Sequence, residues 1–292
     1  MNLFCRILST LSKKDELRII HAHRNRKSTS NISVGKIAIA RDFAIVLQDN
    51  GWELKLIGHN PNFRQLSRIH KSQFVKLAAG FDGYMALTDD GRIITGPKAR
   101  EFECGFEIEL LHGVRDVVGC EGHTVALHYD GRVTCIDEPG GYEGPDKFAR
   151  EVERWNGIIQ VACGFDFVAG LKSDGTLISV GRHYRCPTWQ GIVQFDAFNC
   201  YYGNCYTIAL LNNGAVKADY TDEVDNWRNV IKVCVGNNGY TVGLKSDGTA
   251  YALGNDDFVR EVQSWHNIVE IECKFNFAVA ILADGTIKYA GF

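Results

Sequence analysis

An all-β chain of seven repeated units, each about 40 residues long and four strands wide, is what this sequence predicts, and three observations carry the expectation. A turn-forming dipeptide recurs seven times in near-regular register, residues of fixed size stand at fixed offsets from it, and glycine is abundant where proline is scarce. With 30 Gly and 5 Pro among 292 residues, tight turns rather than low-complexity linkers are indicated. A content of 45% hydrophobic and 23% charged residues belongs to a chain able to bury a core, which excludes disorder over most of its length.

The turn dipeptides are Asn50-Gly51, Asp90-Gly91, Asp130-Gly131, Asp174-Gly175, Asn213-Gly214, Asp247-Gly248 and Asp284-Gly285, spaced 40, 40, 44, 39, 34 and 37 residues. Asn-Gly and Asp-Gly favour two-residue hairpin turns because these need positive φ, which Gly reaches freely and Asn or Asp tolerates. Four residues before each Gly stands a large aliphatic: Leu47, Leu87, Leu127, Leu171, Leu210, Leu244 and Ile281. One residue earlier the side chain is mostly small, and three further back it is a ring in six repeats of seven: Phe43, His123, Phe167, Tyr206, Tyr240 and Phe277, with Gly83 the exception. Alternating stretches such as Arg132 to Ile136 follow each turn and read as the partner strand of a hairpin.

A further strand precedes each hairpin, as at 74–78, 158–162 and 230–234, and is introduced by Trp-x-x-aliphatic at Trp155, Trp189, Trp227 and Trp265. A Trp at the same place in four consecutive repeats points to a shared packing role. With an outer strand expected between each hairpin and the next Trp, every unit has the four strands of a propeller blade, so the fold class is a seven-bladed β-propeller over 34–292.

The stretches at 164–176, 239–249 and 123–131, reading Gly-Phe-Asp-Phe-Val-Ala-Gly-Leu-Lys-Ser-Asp-Gly-Thr, Gly-Tyr-Thr-Val-Gly-Leu-Lys-Ser-Asp-Gly-Thr and His-Thr-Val-Ala-Leu-His-Tyr-Asp-Gly, resemble the regulator-of-chromosome-condensation repeat family. The compact repeats, the Trp before the first strand and the lack of a Gly-Gln-Leu-Gly stretch liken the chain to bacterial-type members. The resemblance implies a seven-bladed propeller. It also implies that a Ran-type small GTPase is an alternative partner, with guanine-nucleotide exchange as the alternative activity.

The last repeat ends soon after its third strand, so a strand from the N-terminal arm of residues 1–33 is expected to complete it; residues 16–23 have the right length and alternation. Residues 1–36 hold eight Lys/Arg against two acidic residues, leaving 24 basic against 33 acidic in 37–292. The basic stretch carrying Arg24, Arg26 and Lys27 is read as a connector from the closing strand to the first blade, and as a candidate contact for an acidic protein face. An acidic propeller without paired aromatic platforms argues against nucleic acid.

No GxSxG, HExxH, P-loop or GxGxxG motif occurs, so no catalytic residues are expected. His123 is read as a packed repeat residue. Cys120, Cys163, Cys200, Cys234 and Cys273 fall near the ends of the inner strands; close packing is preferred there to metal or redox chemistry, and no metal or cofactor is expected. The longest interval between turns holds a Gly- and Pro-containing segment over 137–147, read as a projecting loop whose Glu138, Tyr142, Glu143, Asp146 and Lys147 are candidate partner contacts. Ten irregularly spaced Cys, no apolar run of membrane length and no secretory leader suggest a cytoplasmic protein, or one delivered into a host cell as an effector. The expected function is a non-enzymatic, monomeric platform for another protein, with no nucleic acid and no membrane involved.

Overall fold

The computed structural model describes residues 35–291 apart from 49–50, 52, 59–72, 81–82, 97–107, 121–122, 138–146, 182–183 and 200–203. Among the described residues the chain forms seven antiparallel sheets, each running in chain order from an inner to an outer strand. Blade 1 is β1 (Ile37–Ile39), β2 (Phe43–Leu47) and β3 (Leu54–Gly58), and blade 2 is β4 (Phe74–Ala79), β5 (Tyr84–Thr88) and β6 (Ile93–Thr95). Blade 3 is β7 (Val114–Gly119), β8 (His123–His128) and β9 (Val133–Asp137); blade 4 is β10 (Ile158–Gly164), β11 (Phe167–Lys172) and β12 (Leu177–Gly181). Blades 5, 6 and 7 follow as β13 (Ile192–Phe198) to β15 (Val216–Ala218), β16 (Val230–Val235) to β18 (Ala250–Leu253), and β19 (Ile268–Lys274) to β21 (Ile287–Ala290).

Three strands, not the expected four, make up each described sheet. The segment expected to form an outer strand is instead helix α1 (Lys147–Val152) before blade 4, a 3-10 turn (Glu223–Asn226) before blade 6, and helix α2 (Asp256–Gln263) before blade 7. Helix α2 shows why. Asn255 caps it by accepting from the Phe258 amide at 2.9 Å, and Phe258 and Val262 are buried four residues apart on one face. That spacing is about one helical turn, and it sets both side chains into the apolar cluster between blades 6 and 7.

The hairpin turns also differ from the two-residue form. Thr88 donates its amide to the Arg92 carbonyl at 2.8 Å, and Gly91 donates to the Thr88 carbonyl at 3.0 Å, so three residues lie in the loop. The Gly of each pair is left-handed, with φ from +71° to +83° at Gly51, Gly91, Gly131, Gly175, Gly214, Gly248 and Gly285, and among the described partners the preceding Asp or Asn is not. This is a type I turn closed by a left-handed bulge residue. The preceding Asp or Asn earns its place through its side chain, accepting from the amide two residues on, as Asp174 does from Thr176 at 3.0 Å and Asp247 from Thr249 at 2.9 Å.

Among the described residues, five of the seven turns are fastened to the next blade. The Gly131 carbonyl accepts from Ile158 at 3.1 Å and that of Gly175 from Ile192 at 3.0 Å, with matching bonds from Gly51, Gly91 and Gly248. The residue before the inner strand is itself left-handed at Gly113, Gly157, Gly191, Asn229 and Asn267, so the Trp motif is in effect Trp-x-(Gly or Asn)-aliphatic.

The core is divided among seven apolar clusters, one at each seam between neighbouring blades. Trp155, Trp227 and Trp265 are buried, and Trp189 is partly buried. Trp227 lies so close over Gly243 that a Cβ there would come within 2.6 Å of the indole, which explains the small residue before the aliphatic anchor. The inner strands follow one another around a central channel, and β1 packs back onto β19, with Ile37, Ile39, Val46, Phe277 and Val279 filling the closing seam. The closing strand expected over 16–23, like the rest of the arm, lies outside the described residues.

Candidate functional site

The turns that join each inner strand to its middle strand gather around one mouth of the channel, where they enclose a cavity of about 730 Å³. Its wall combines cations at Arg41 and Lys274, a carboxylate at Asp42, amides at Asn199, Asn237, Asn238 and Asn276, and rings at Phe165, Phe198, Tyr240 and Phe275. Asn199 is buried and holds the rim of the neighbouring blade: its Oδ1 accepts from the Phe165 amide at 2.7 Å and its Nδ2 donates to Asp166 at 2.7 Å.

Phe275 stands at φ +54°, a costly conformation for a bulky side chain, and its surroundings impose it. Its ring meets Phe198 edge to face at 5.0 Å, and its carbonyl accepts from the Asn237 amide at 2.5 Å. The Oδ1 of Asn237 is buried without a hydrogen-bond donor, an acceptor held ready inside the cavity. Lys274 reaches from blade 7 across the mouth to the Gly119 carbonyl of blade 3 at 3.2 Å, with its ammonium 5.7 Å from the centre of the Phe198 ring.

Below the mouth the channel is polar. A polar side chain occurs two residues into each inner strand from β4 onward, at Lys76, Asp116, Gln160, Gln194, Lys232 and Glu270, and these residues cross-link adjacent blades. Gln194 clamps both backbone groups of Val233, donating to its carbonyl at 2.9 Å and accepting from its amide at 2.8 Å; Gln160 does the same to Phe195 at 2.6 and 3.2 Å. Lys76 pairs with Asp116 and Lys232 with Glu272, while Glu270 accepts from the Lys36 amide across the closing seam at 2.6 Å. Asp196 accepts from the Val235 and Ala197 amides at 2.9 Å each, but burial dominates and raises its carboxyl to about 7. Burial works against the Lys232 ammonium, yet the nearby Glu272 and Glu270 outweigh it and keep the amine protonated.

Sequence reasoning missed this polar layer, although its signal was present: one polar residue at the same place in successive apolar strands. His123, read from the sequence as a packed repeat residue, is indeed buried. The structure brings His123 together with Cys120 and Cys163, one donor atom from each lying within 4.8 Å of the others at the seam of blades 3 and 4. The two thiols are close enough to interact. Burial raises Cys120, while contact with Cys120 lowers Cys163. The His123 ring is buried, which lowers its pKa to about 4, and its Nε2 faces the Phe167 carbonyl at 3.2 Å. Cys234 and Cys273 share another seam and are likewise raised by burial; Cys200 lies outside the described residues. All seven described cysteines are free thiols.

The proposed partner contacts Glu138, Tyr142, Glu143 and Asp146, together with Arg24, Arg26 and Lys27, lie outside the described residues, and Lys147 is placed only as the first residue of α1. Among the described residues no helix is long and apolar enough to cross a membrane.

No protein-family model matches the sequence, and no curated protein matches it. Among solved structures, the chain is similar to the CRINKLY WD40 ectodomain of the Arabidopsis thaliana receptor kinase ACR4, at 17% identity and a TM-score of 0.64 over 89% of this chain and 96% of that one. It is similar to the ectodomain of the Physcomitrella patens receptor kinase CR4, at 12% identity and a TM-score of 0.63 over 88% and 73%. Yeast RCC1 (Prp20), solved with Kap60 bound, matches at 14% identity and a TM-score of 0.50 over 88% and 69%. At such identities the likeness is one of fold. In that sense the chain is a seven-bladed β-propeller of the architecture shared by the CRINKLY ectodomains and the regulator of chromosome condensation.

Proposed function

We propose that this chain is a non-enzymatic binding platform that receives a loop of another protein at the channel mouth. The observation that carries the reading is the cavity itself, built from residues of several blades and lined by two cations, one carboxylate, four amides and four rings. Such a wall offers hydrogen-bond donors and aromatic faces to a carboxylate-bearing or amide-rich segment. The orphaned acceptor of Asn237 and the strained Phe275 rim support it, since a site waiting for a ligand keeps both at a cost in stability. Yeast RCC1 (Prp20), similar in fold, has been solved with a protein, Kap60, bound to it. Free thiols throughout the described residues are consistent with a reducing compartment such as the cytoplasm.

The test is capture of interacting proteins by the full chain, by a mouth variant carrying Arg41→Glu and Lys274→Glu, and by Lys288→Glu on the outermost strand of blade 7. A partner retained by the wild type and by Lys288→Glu but lost by the mouth variant is expected. Equal capture by all three chains would remove the mouth from the reading. Release of labelled guanine nucleotide from a Ran-type GTPase above its spontaneous rate would replace it with the exchange activity.

A further inference from the structure

We propose that the seam between blades 3 and 4 binds one thiophilic closed-shell metal ion, Zn²⁺ in the first instance, through the Cys120 and Cys163 thiolates and the His123 imidazole. Three donors converge there from three strand ends: Cys120 follows β7, His123 opens β8 and Cys163 lies in β10. A tetrahedral zinc ion, at about 2.3 Å from sulfur and about 2.0 Å from nitrogen, wants its donors roughly 3.5 Å apart. Atoms already within 4.8 Å therefore need to close by only about 1 Å.

The surroundings of the trio are those of a metal site. The Phe167 carbonyl can only accept, so the Nε2 of the neutral His123 ring carries the hydrogen and the lone pair resides on Nδ1. Metal-binding histidines are held in this way, with the second ring nitrogen donating to a backbone carbonyl. Apolar Val118, Val125, Val161 and Val168 surround the cluster, while Cys120 itself forms part of the wall of the mouth cavity, providing an entry path and an open fourth position. A dication with two thiolates is neutral overall, which a buried seam can accommodate; binding sends both thiol protons to solvent.

The choice of His123 also discriminates. At the equivalent position other repeats place Phe43, Phe167 and Phe277, which serve packing equally well and cannot ligate.

The experiment uses the full chain, reduced and stripped of metal by chelation, titrated with Zn²⁺ against a chromophoric chelator and with Co²⁺ under argon. One equivalent of Zn²⁺ per chain is expected, with about two protons released per ion at neutral pH, and the Co²⁺ form should show thiolate-to-cobalt charge transfer. His123→Phe copies the side chain used in other repeats and so should fold; its Zn²⁺ affinity should fall by more than the roughly 10–100-fold that a lost outer-shell partner costs. Cys163→Ser should abolish the charge-transfer band, whereas Cys234→Ser with Cys273→Ser should leave binding unchanged. The assignment is overturned if the reduced wild type binds no ion, if His123→Phe binds as the wild type does, or if Cys120 and Cys163 emerge as a disulfide that resists reduction.

Discussion

Single residues decide the turns. A turn Gly can face two demands, a left-handed backbone and contact with the next blade, and the two separate cleanly by position. A Cβ on Gly175 would meet the Gly191 Cα at 3.1 Å, whereas one on Gly214 would meet nothing within 4 Å, although φ is nearly the same, +83° and +82°. Gly214→Ala should therefore cost only the backbone penalty of about 1–2 kcal/mol, and Gly175→Ala should cost more, with urea denaturation measuring the difference. The dipeptide was legible in the sequence because this conformational demand is local. The turn type was not, because the count of residues in the loop depends on which amides pair across the hairpin.

Elements are held by what crosses between them. Trp227 and Gly243 form one packing unit, so Trp227→Ala should destabilise by about 3–5 kcal/mol, Gly243→Ala should also destabilise, and the double variant should lose less than the sum because the clash disappears with the ring. Gln194→Ala leaves both backbone groups of Val233 without their side-chain partner and should cost about 1–3 kcal/mol, read by thermal or chemical denaturation. Connector rings provide a similar staple. Tyr184 stacks on Phe167 at 4.1 Å, and its hydroxyl meets the fully buried Thr207 Oγ1 of the next blade at 3.0 Å, so Tyr184→Phe should cost about 1 kcal/mol. The middle strands and Trp positions could be read from spacing alone. The helical connectors were misread as strands, although the Asn255 cap and the four-residue spacing of Phe258 and Val262 were visible in the chain.

At the scale of the whole ring, charge buried along the channel links stability to pH. An ordinary aspartate ionises near 4, whereas Asp196, partly buried between blades 5 and 6, does so at about 7. Below pH 4 the carboxyl is protonated in both folded and unfolded chains and contributes nothing. As pH rises from about 4 to about 7 the unfolded chain ionises first, so stability falls across that window and then levels. Denaturation midpoints measured from pH 4 to 8 should show this decline, and Asp196→Asn should flatten it.

Local chemistry, written in the order of residues, determined the number of repeats, the strands of each hairpin and the small-over-large packing of each blade, because turns, alternation and burial repeat within about 40 residues. Only the closed ring decided which repeats face one another. It set Lys274 against Gly119, 155 residues apart in sequence, joined Glu270 to Lys36 across the last seam, and brought Cys120, His123 and Cys163 to one point. Such meetings depend on the angle through which each blade turns from its neighbour, a quantity fixed by packing at all seven seams together.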